Sequence, residues 1–300
     1  MKLTWLLKNY LIYGLFLSSC SGQGIPAFDE TAAFRHLEKQ CAFGPRVPGS
    51  ASHLQCRDFL VAELKKYASQ VTLQPFQVTL EKGTPVVTAY NIIANFHVDK
   101  KQRLLLCAHW DTRPWADRDP QPSNHKRPVP GANDGASGVA VLLEVARIIS
   151  LSAPKYGVDI VLFDAEDLGS YGQNDTWALG SRQFAQNLVR SYHPEMGILI
   201  DMIGDADQQI YIEQNSNKYA PQVVKRVWSA AQQLGITEFI PQVGPEVYDD
   251  HLSLLEVGIP CIDLIDFDYP YWHTIADTPD KCSPRSLGNI GRVLLALLYE

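Results

Sequence analysis

The 300-residue chain contains no pair of cysteines at CxxC spacing, which argues against a zinc site built from thiolates. It carries no block of like charge, and its formal net charge of -7 is spread along its length. A nucleic-acid or anionic-lipid surface is therefore not indicated, whereas small neutral or cationic ligands fit the charge better. There is no internal repeat and no linker-like stretch, so one domain is expected. Nor is there an apolar run long enough to span a bilayer comfortably.

What is present begins at the N-terminus. Lys2 and Lys8 flank or interrupt the apolar runs Leu3 to Leu7 and Leu11 to Leu17, and Ser18, Ser19 and Cys20 follow. A positive flank, a short apolar segment and small residues are the pattern of a secretory signal over residues 1–20. Leu17-Ser18-Ser19-Cys20 also resembles a bacterial lipobox, which implies a lipid anchor on Cys20 as the one membrane contact. Residues 21–28 read as a tether. The expectation is an exported protein in the periplasm, anchored to the outer membrane of a Gram-negative bacterium. Of the remaining cysteines, Cys107 and Cys261 lie in apolar runs and read as buried thiols. Cys41 and Cys56 flank one loop and are candidates to pair in an oxidising compartment, with Cys282 left open.

Residues 29–300 alternate strands and helices. Helical spacing runs from Asp29, placed as an N-cap, to Cys41, and again from Ala51 to Tyr67. Val71 to Leu80 and Val86 to Phe96 read as a strand pair. Short apolar strands at 103–108, 158–163, 196–202 and 259–265 then alternate with helices at 135–151, 179–190, 222–234 and 284–298. This order predicts an α/β fold: one domain with a central mixed, mostly parallel β-sheet, flanked by helices on both faces.

In such sheets ligands bind beyond the carboxyl ends of the strands. The first of the alternating strands ends in Ala108-His109-Trp110-Asp111, and Gly131-Ala132-Asn133-Asp134-Gly135 precedes the next helix. The following strands end in Asp164-Ala165-Glu166-Asp167 and Ile200-Asp201, and Trp272-His273-Thr274 follows the last. Each feature has a plain structural explanation: an N-cap for Asp134, a turn residue for Asp201, a packed imidazole for His273 and a solvated pair for Glu166 and Asp167. Their recurrence at successive strand ends instead points to a metal cluster drawn from His109, Asp134, Asp167, Asp201 and His273. Zinc accepts carboxylate and imidazole, and a catalytic site needs three protein ligands and an open position. Glu166, adjacent to Asp167, is then placed to act as acid/base on the reacting group.

The ordered motifs HWD (109–111), GANDGASGVA (131–140), FDAED (163–167), LIDMIG (199–204), DDH (249–251) and WHT (272–274), with the loop GPRVPGS (44–50), resemble the zinc aminopeptidase superfamily. They are most similar to its glutaminyl-peptide cyclotransferase branch, a resemblance spanning residue 30 to the C-terminus. It implies one zinc held by Asp134, Asp167 and His273, with His109 as a remnant of a second metal position. It also implies catalytic roles for Glu166, Asp201, Asp249 and Asp263, and a small pocket walled by Trp272, Trp110 and Tyr171. The implied substrates are peptides or proteins with N-terminal glutamine, converted to pyroglutamate with loss of ammonia. The alternatives are a two-zinc aminopeptidase using the same five residues and an inactive binding lipoprotein on the same fold. The chain departs from the animal pattern at Asp167, where those enzymes carry Glu, and at Asp263, where they carry His. The loop 169–177 also lacks a clear match for their pocket tryptophan, with Tyr171 or Trp177 as replacements.

Overall fold

The computed structural model describes residues 24–81 and 83–300. The expected signal segment, Cys20 and the first tether residues lie outside the described residues. In chain order the elements are α1 (Glu30–Cys41), α2 (Ala51–Lys65), β1 (Gln70–Thr79), β2 (Val86–Phe96), β3 (Arg103–His109), α3 (Ala136–Leu151), β4 (Gly157–Phe163) and α4 (Leu179–Gln186). There follow β5 (Met196–Asp201), β6 (Ile210–Ile212), α5 (Gln214–Tyr219), α6 (Pro221–Gln233), β7 (Phe239–Val243), α7 (Asp250–Glu256), β8 (Cys261–Ile265) and α8 (Pro284–Tyr299).

Six strands form one sheet in the order β1-β2-β4-β3-β5-β8. β1 and β2 are a full-length antiparallel pair, β2 runs antiparallel to β4, and β4, β3, β5 and β8 are mutually parallel. Alternation along β3 sends Leu104, Leu106 and Ala108 into the larger core with α1, α3, α6 and α8. Leu105 and Cys107 point the other way, against Phe184 of α4 and Leu254 of α7. The sheet is thus covered on both faces, as the apolar strands require. Among the described residues no helix is long and apolar enough to cross a membrane.

Helix starts follow local chemistry. Asp29 caps α1 by accepting from Ala32 N at 2.8 Å, and Ser50 caps α2 by accepting from His53 N at 3.1 Å. α3 starts differently: its cap is Gly135 at φ +99°, where a Cβ would lie 2.6 Å from the Asp111 carbonyl oxygen. Because the glycine makes the turn, Asp134 is not used as a cap.

The tether boundary is corrected here, and the cysteine pairing that the sequence leaves open is decided. Phe28, assigned to the tether, lies against Gly291 of α8, where a Cβ would come 2.3 Å from its ring, so the packed body starts before Asp29. Cys41 and Cys56 do not pair; all five described cysteines are free thiols. Both face the core, and burial pushes the Cys41 thiol up to about 11 and the Cys56 thiol up to about 12. The parallel pair β6 and β7 and the short α5 had no sequence expectation, and α4 stops at Gln186 rather than Arg190.

Candidate metal centre and active site

The carboxyl ends of β3, β4 and β5 and the loop after β8 converge on one cleft. His109 ends β3, and its Nε2 lies 3.1 Å from Asp134 Oδ1 and 3.0 Å from Asp201 Oδ1. His273 Nε2 lies 3.1 Å from Asp167 Oδ1 and 3.7 Å from Asp134 Oδ2. Asp134 therefore belongs to two buried triads, His109-Asp134-Asp201 and Asp134-Asp167-His273. Every metal ligand expected from the sequence is brought together.

The backbone is strained where it delivers these groups. Ala165 before Glu166, Met202 after Asp201, and His273 itself have φ of 58°, 45° and 56°. A non-glycine residue in the left-handed region costs energy and persists only where surrounding contacts fix it. Those contacts are present. Asp111 accepts from the amides of Glu166 and Asp167 at 3.1 and 3.3 Å, and Asp277 accepts from those of Asn133 and Asp134 at 2.8 and 3.1 Å. Arg113 Nη1 donates to the Asp167 carbonyl and carboxylate at 3.1 and 3.3 Å, while its other face grips Asp117.

The donor set fits a zinc ion. Asp134 Oδ2 and Asp167 Oδ2 are buried and have no hydrogen-bond partner among the described residues, an arrangement that costs free energy unless a cation or proton compensates it. Burial pushes the Asp167 carboxyl up to about 7. It pushes the His273 imidazole down to about 3, leaving the ring neutral, the form that binds metal.

Beside the triads lies a cavity of about 190 Å³. Glu166, Asp201 and Asp249 line it together with the aromatic side chains of Tyr171, Trp177 and Trp272. Burial, then the carboxylates of Asp249 and Asp167, hold Glu166 well above the usual carboxylate range. Asp249 caps α7 and is itself pushed up to about 6 by burial and then by Asp201. The residue that caps this helix thus also lines the cavity.

Asp263 is fully buried on β8 and does not line the cavity, whereas Asp249, whose carboxylate lies within 4.8 Å of it, does. The structure therefore places Asp263, expected from the sequence among the catalytic residues, against Asp249 and His251 rather than in the cavity. Trp110 is corrected as well. In extended backbone, neighbouring side chains point to opposite faces, so with His109 in the cleft Trp110 turns into the core. There it stacks on His53 at 4.4 Å and donates from Nε1 to the Tyr90 carbonyl at 3.1 Å. Trp110→Ala is expected to lower stability by about 3–5 kcal/mol, the cost of truncating a buried aromatic, with KM unchanged. Urea unfolding and steady-state kinetics check this; a raised KM with native stability would return Trp110 to the pocket.

Sequence reasoning left the pocket tryptophan open between Tyr171 and Trp177. Trp177 lies parallel to the His273 ring, 6.1 Å away at an interplanar angle of 6°. Arg113 and Arg118 were missed, although both lie a few residues after the HWD motif (109–111). Arg118 N donates to the His273 carbonyl at 3.1 Å.

The profile of peptidase family M28 matches residues 91–298. The chain belongs to peptidase family M28. Among solved structures similar to this M28 chain is the glutaminyl cyclase of Tannerella forsythia, 41% identical, with a TM-score of 0.88 and coverage of 92% of this chain and 99% of that one. A Zn-dependent exopeptidase from Parabacteroides distasonis is 40% identical, with a TM-score of 0.89 and coverage of 92% and 100%. The glutaminyl-peptide cyclotransferase-like protein of Mus musculus is 28% identical over 286 residues, 85% of this chain and 72% of its own length. The resemblance drawn from the motifs thus holds, and this M28 chain is an enzyme of a zinc-dependent family.

Proposed function

We propose that the chain is a glutaminyl-peptide cyclotransferase, converting the N-terminal glutamine of peptides and proteins to pyroglutamate with release of ammonia. The observation that carries this reading is the small aromatic-walled cavity holding Glu166 and Asp249 beside the Asp134-Asp167-His273 triad. A chamber of about 190 Å³ suits one side chain folded back on its own amine.

The substrate's α-amine attacks its own γ-amide carbonyl, so the protein needs no nucleophile. One carbon–nitrogen bond forms and the bond to the amide nitrogen breaks. Zinc, when bound, supplies the Lewis acidity that polarises the carbonyl. Glu166 takes a proton from the attacking amine and passes it to the departing ammonia. Its raised pKa brings it toward the working range of a proton shuttle. Asp249 and Asp201 face the same space and can hold the amine and amide N–H groups. Trp177, Trp272 and Tyr171 restrict the substrate to the folded conformer and limit access of water, the competing nucleophile.

The intact His109-Asp134-Asp201 triad favours a second reading, a two-zinc aminopeptidase in which Glu166 activates water. We take the single zinc at Asp134, Asp167 and His273, with His109 bonded to Asp201 in the other half. Ammonia release from glutaminyl dipeptides, measured beside hydrolysis of aminoacyl anilides, separates the two. Ammonia without anilide cleavage supports the cyclase, and anilide cleavage without ammonia overturns it.

The rate is expected to rise from acid toward mildly alkaline pH. Attack needs the neutral amine, whose ordinary pKa is about 7.7–8.0. Proton removal needs ionised Glu166, so the rate falls as pH drops through its raised pKa. A pH–rate profile peaking at pH 5 would contradict this mechanism.

As to location, the Lys2 to Cys20 pattern supports export to the periplasm and a lipid anchor at Cys20 in the outer membrane of a Gram-negative bacterium. Labelling with a fatty-acid analogue, lost in Cys20→Ala, is the test; labelling that persists in the variant would reject it.

A further inference from the structure

The aromatic loop over the cavity makes one contact that a pocket wall does not need. Tyr171 Oη lies 2.8 Å from His273 Nδ1, on the side of the ring opposite the Nε2 that faces Asp134 and Asp167. With metal on Nε2, the neutral ring carries its proton on Nδ1, so Nδ1–H donates to the tyrosine oxygen. Arg118 Nε donates to the same oxygen at 3.1 Å. The guanidinium of Arg118 also lies 4.9 Å from the centres of both the Tyr171 and Trp272 rings. Asp117 Oδ1, the nearest carboxylate to His273 Nδ1, is 3.6 Å away and already bonded to Arg113. The hydroxyl, not the carboxylate, is therefore the acceptor for this imidazole.

We propose that Tyr171 is the positioning residue of the metal ligand His273, fixing its tautomer and ring plane through the hydroxyl while its ring walls the cavity. The inference rests on His273 being a zinc ligand. Outer partners of ligating histidines set ring orientation and basicity, and their removal lowers metal affinity by about 10–100-fold. Tyr171 sits in the loop between β4 and α4, so the same side chain touches both the substrate space and the metal. Substrate packing on the ring and zinc retention are thereby linked.

Tyr171→Phe separates the two functions because it removes the hydroxyl and keeps the ring. The residue is 49% exposed, so the fold tolerates the change. Zinc affinity is measured by chelator competition on the full chain, and the Nδ1–H signal of histidine is followed by 15N NMR. The expected result is zinc binding weakened about 10–100-fold and a faster-exchanging Nδ1 proton, with the melting point of the metal-free chain unchanged. Tyr171→Ala should lose zinc affinity to the same extent and raise KM as well, since only it removes the wall. Wild-type zinc affinity in Tyr171→Phe would overturn the proposal while leaving the metal site standing. A His273→Ala variant that kept wild-type zinc affinity would instead overturn the ligand assignment on which it rests.

Discussion

Glu166→Gln is expected to lower kcat by about 10²–10⁴-fold, the usual worth of a positioned acid/base, with zinc content and fold as in the wild type. The amide has nearly the shape of the carboxyl group, so the cavity should not collapse. The Glu166 backbone is held independently of its side chain, through its N–H to Asp111 and its carbonyl to the Ala178 amide. Asp167, the adjacent ligand, keeps its own bonds to Arg113. What the substitution removes is the ability to accept a proton from the attacking amine. Turnover on a glutaminyl peptide together with metal analysis checks this. If Glu166→Gln kept wild-type kcat, proton transfer would have to run through another group, such as Asp249, which lines the same cavity. If it lost zinc in proportion to activity, Glu166 would be acting on the metal rather than on the substrate.

The second large effect is expected at Asp134. Its two oxygens face opposite histidines, His109 at 3.1 Å and His273 at 3.7 Å, so it is common to both triads. Asp134→Ala should therefore abolish zinc binding and bring the rate to the uncatalysed level, whichever triad the ion uses. The GANDG turn should survive, because Asp277 holds it through the amides of Asn133 and Asp134 and Gly135 makes the bend without a side chain. His109→Ala is the informative partner: on the one-zinc reading it retains zinc, and on the two-zinc reading it loses one equivalent. Asp134→Ala with full zinc content would place the metal elsewhere.

Much of this site was legible because its parts lie at strand ends, where sequence position nearly determines spatial position. His109, Glu166, Asp167 and Asp201 each end or follow one of the apolar parallel strands of the mixed sheet, and such ends share one edge. The reading failed where side-chain direction or loop path decided. The resemblance implies Trp110 as a pocket wall, although strand alternation sends it to the face opposite His109. Asp263 faced the same difficulty: it lies on a strand that reaches the site, but against Asp249 rather than in the cavity. Trp177 and Tyr171 come together through a loop stabilised by turns, including Gln173 N to the Ser170 carbonyl at 3.0 Å, which leave no periodic signature. Arg113 and Arg118 read as ordinary loop charges until their partners are known. The β6 and β7 pair escaped because three to five residues are too few to display a period.

The central claim is that the protein closes a ring on N-terminal glutamine rather than cutting the peptide bond after it. The most direct test is the mass of the product from a glutamine-initiated peptide incubated with zinc-loaded protein. The predicted result is a single product with every residue retained, lighter by one ammonia and without a free α-amine. Free glutamine and a peptide shortened by one residue would contradict the account and make the same cleft an aminopeptidase.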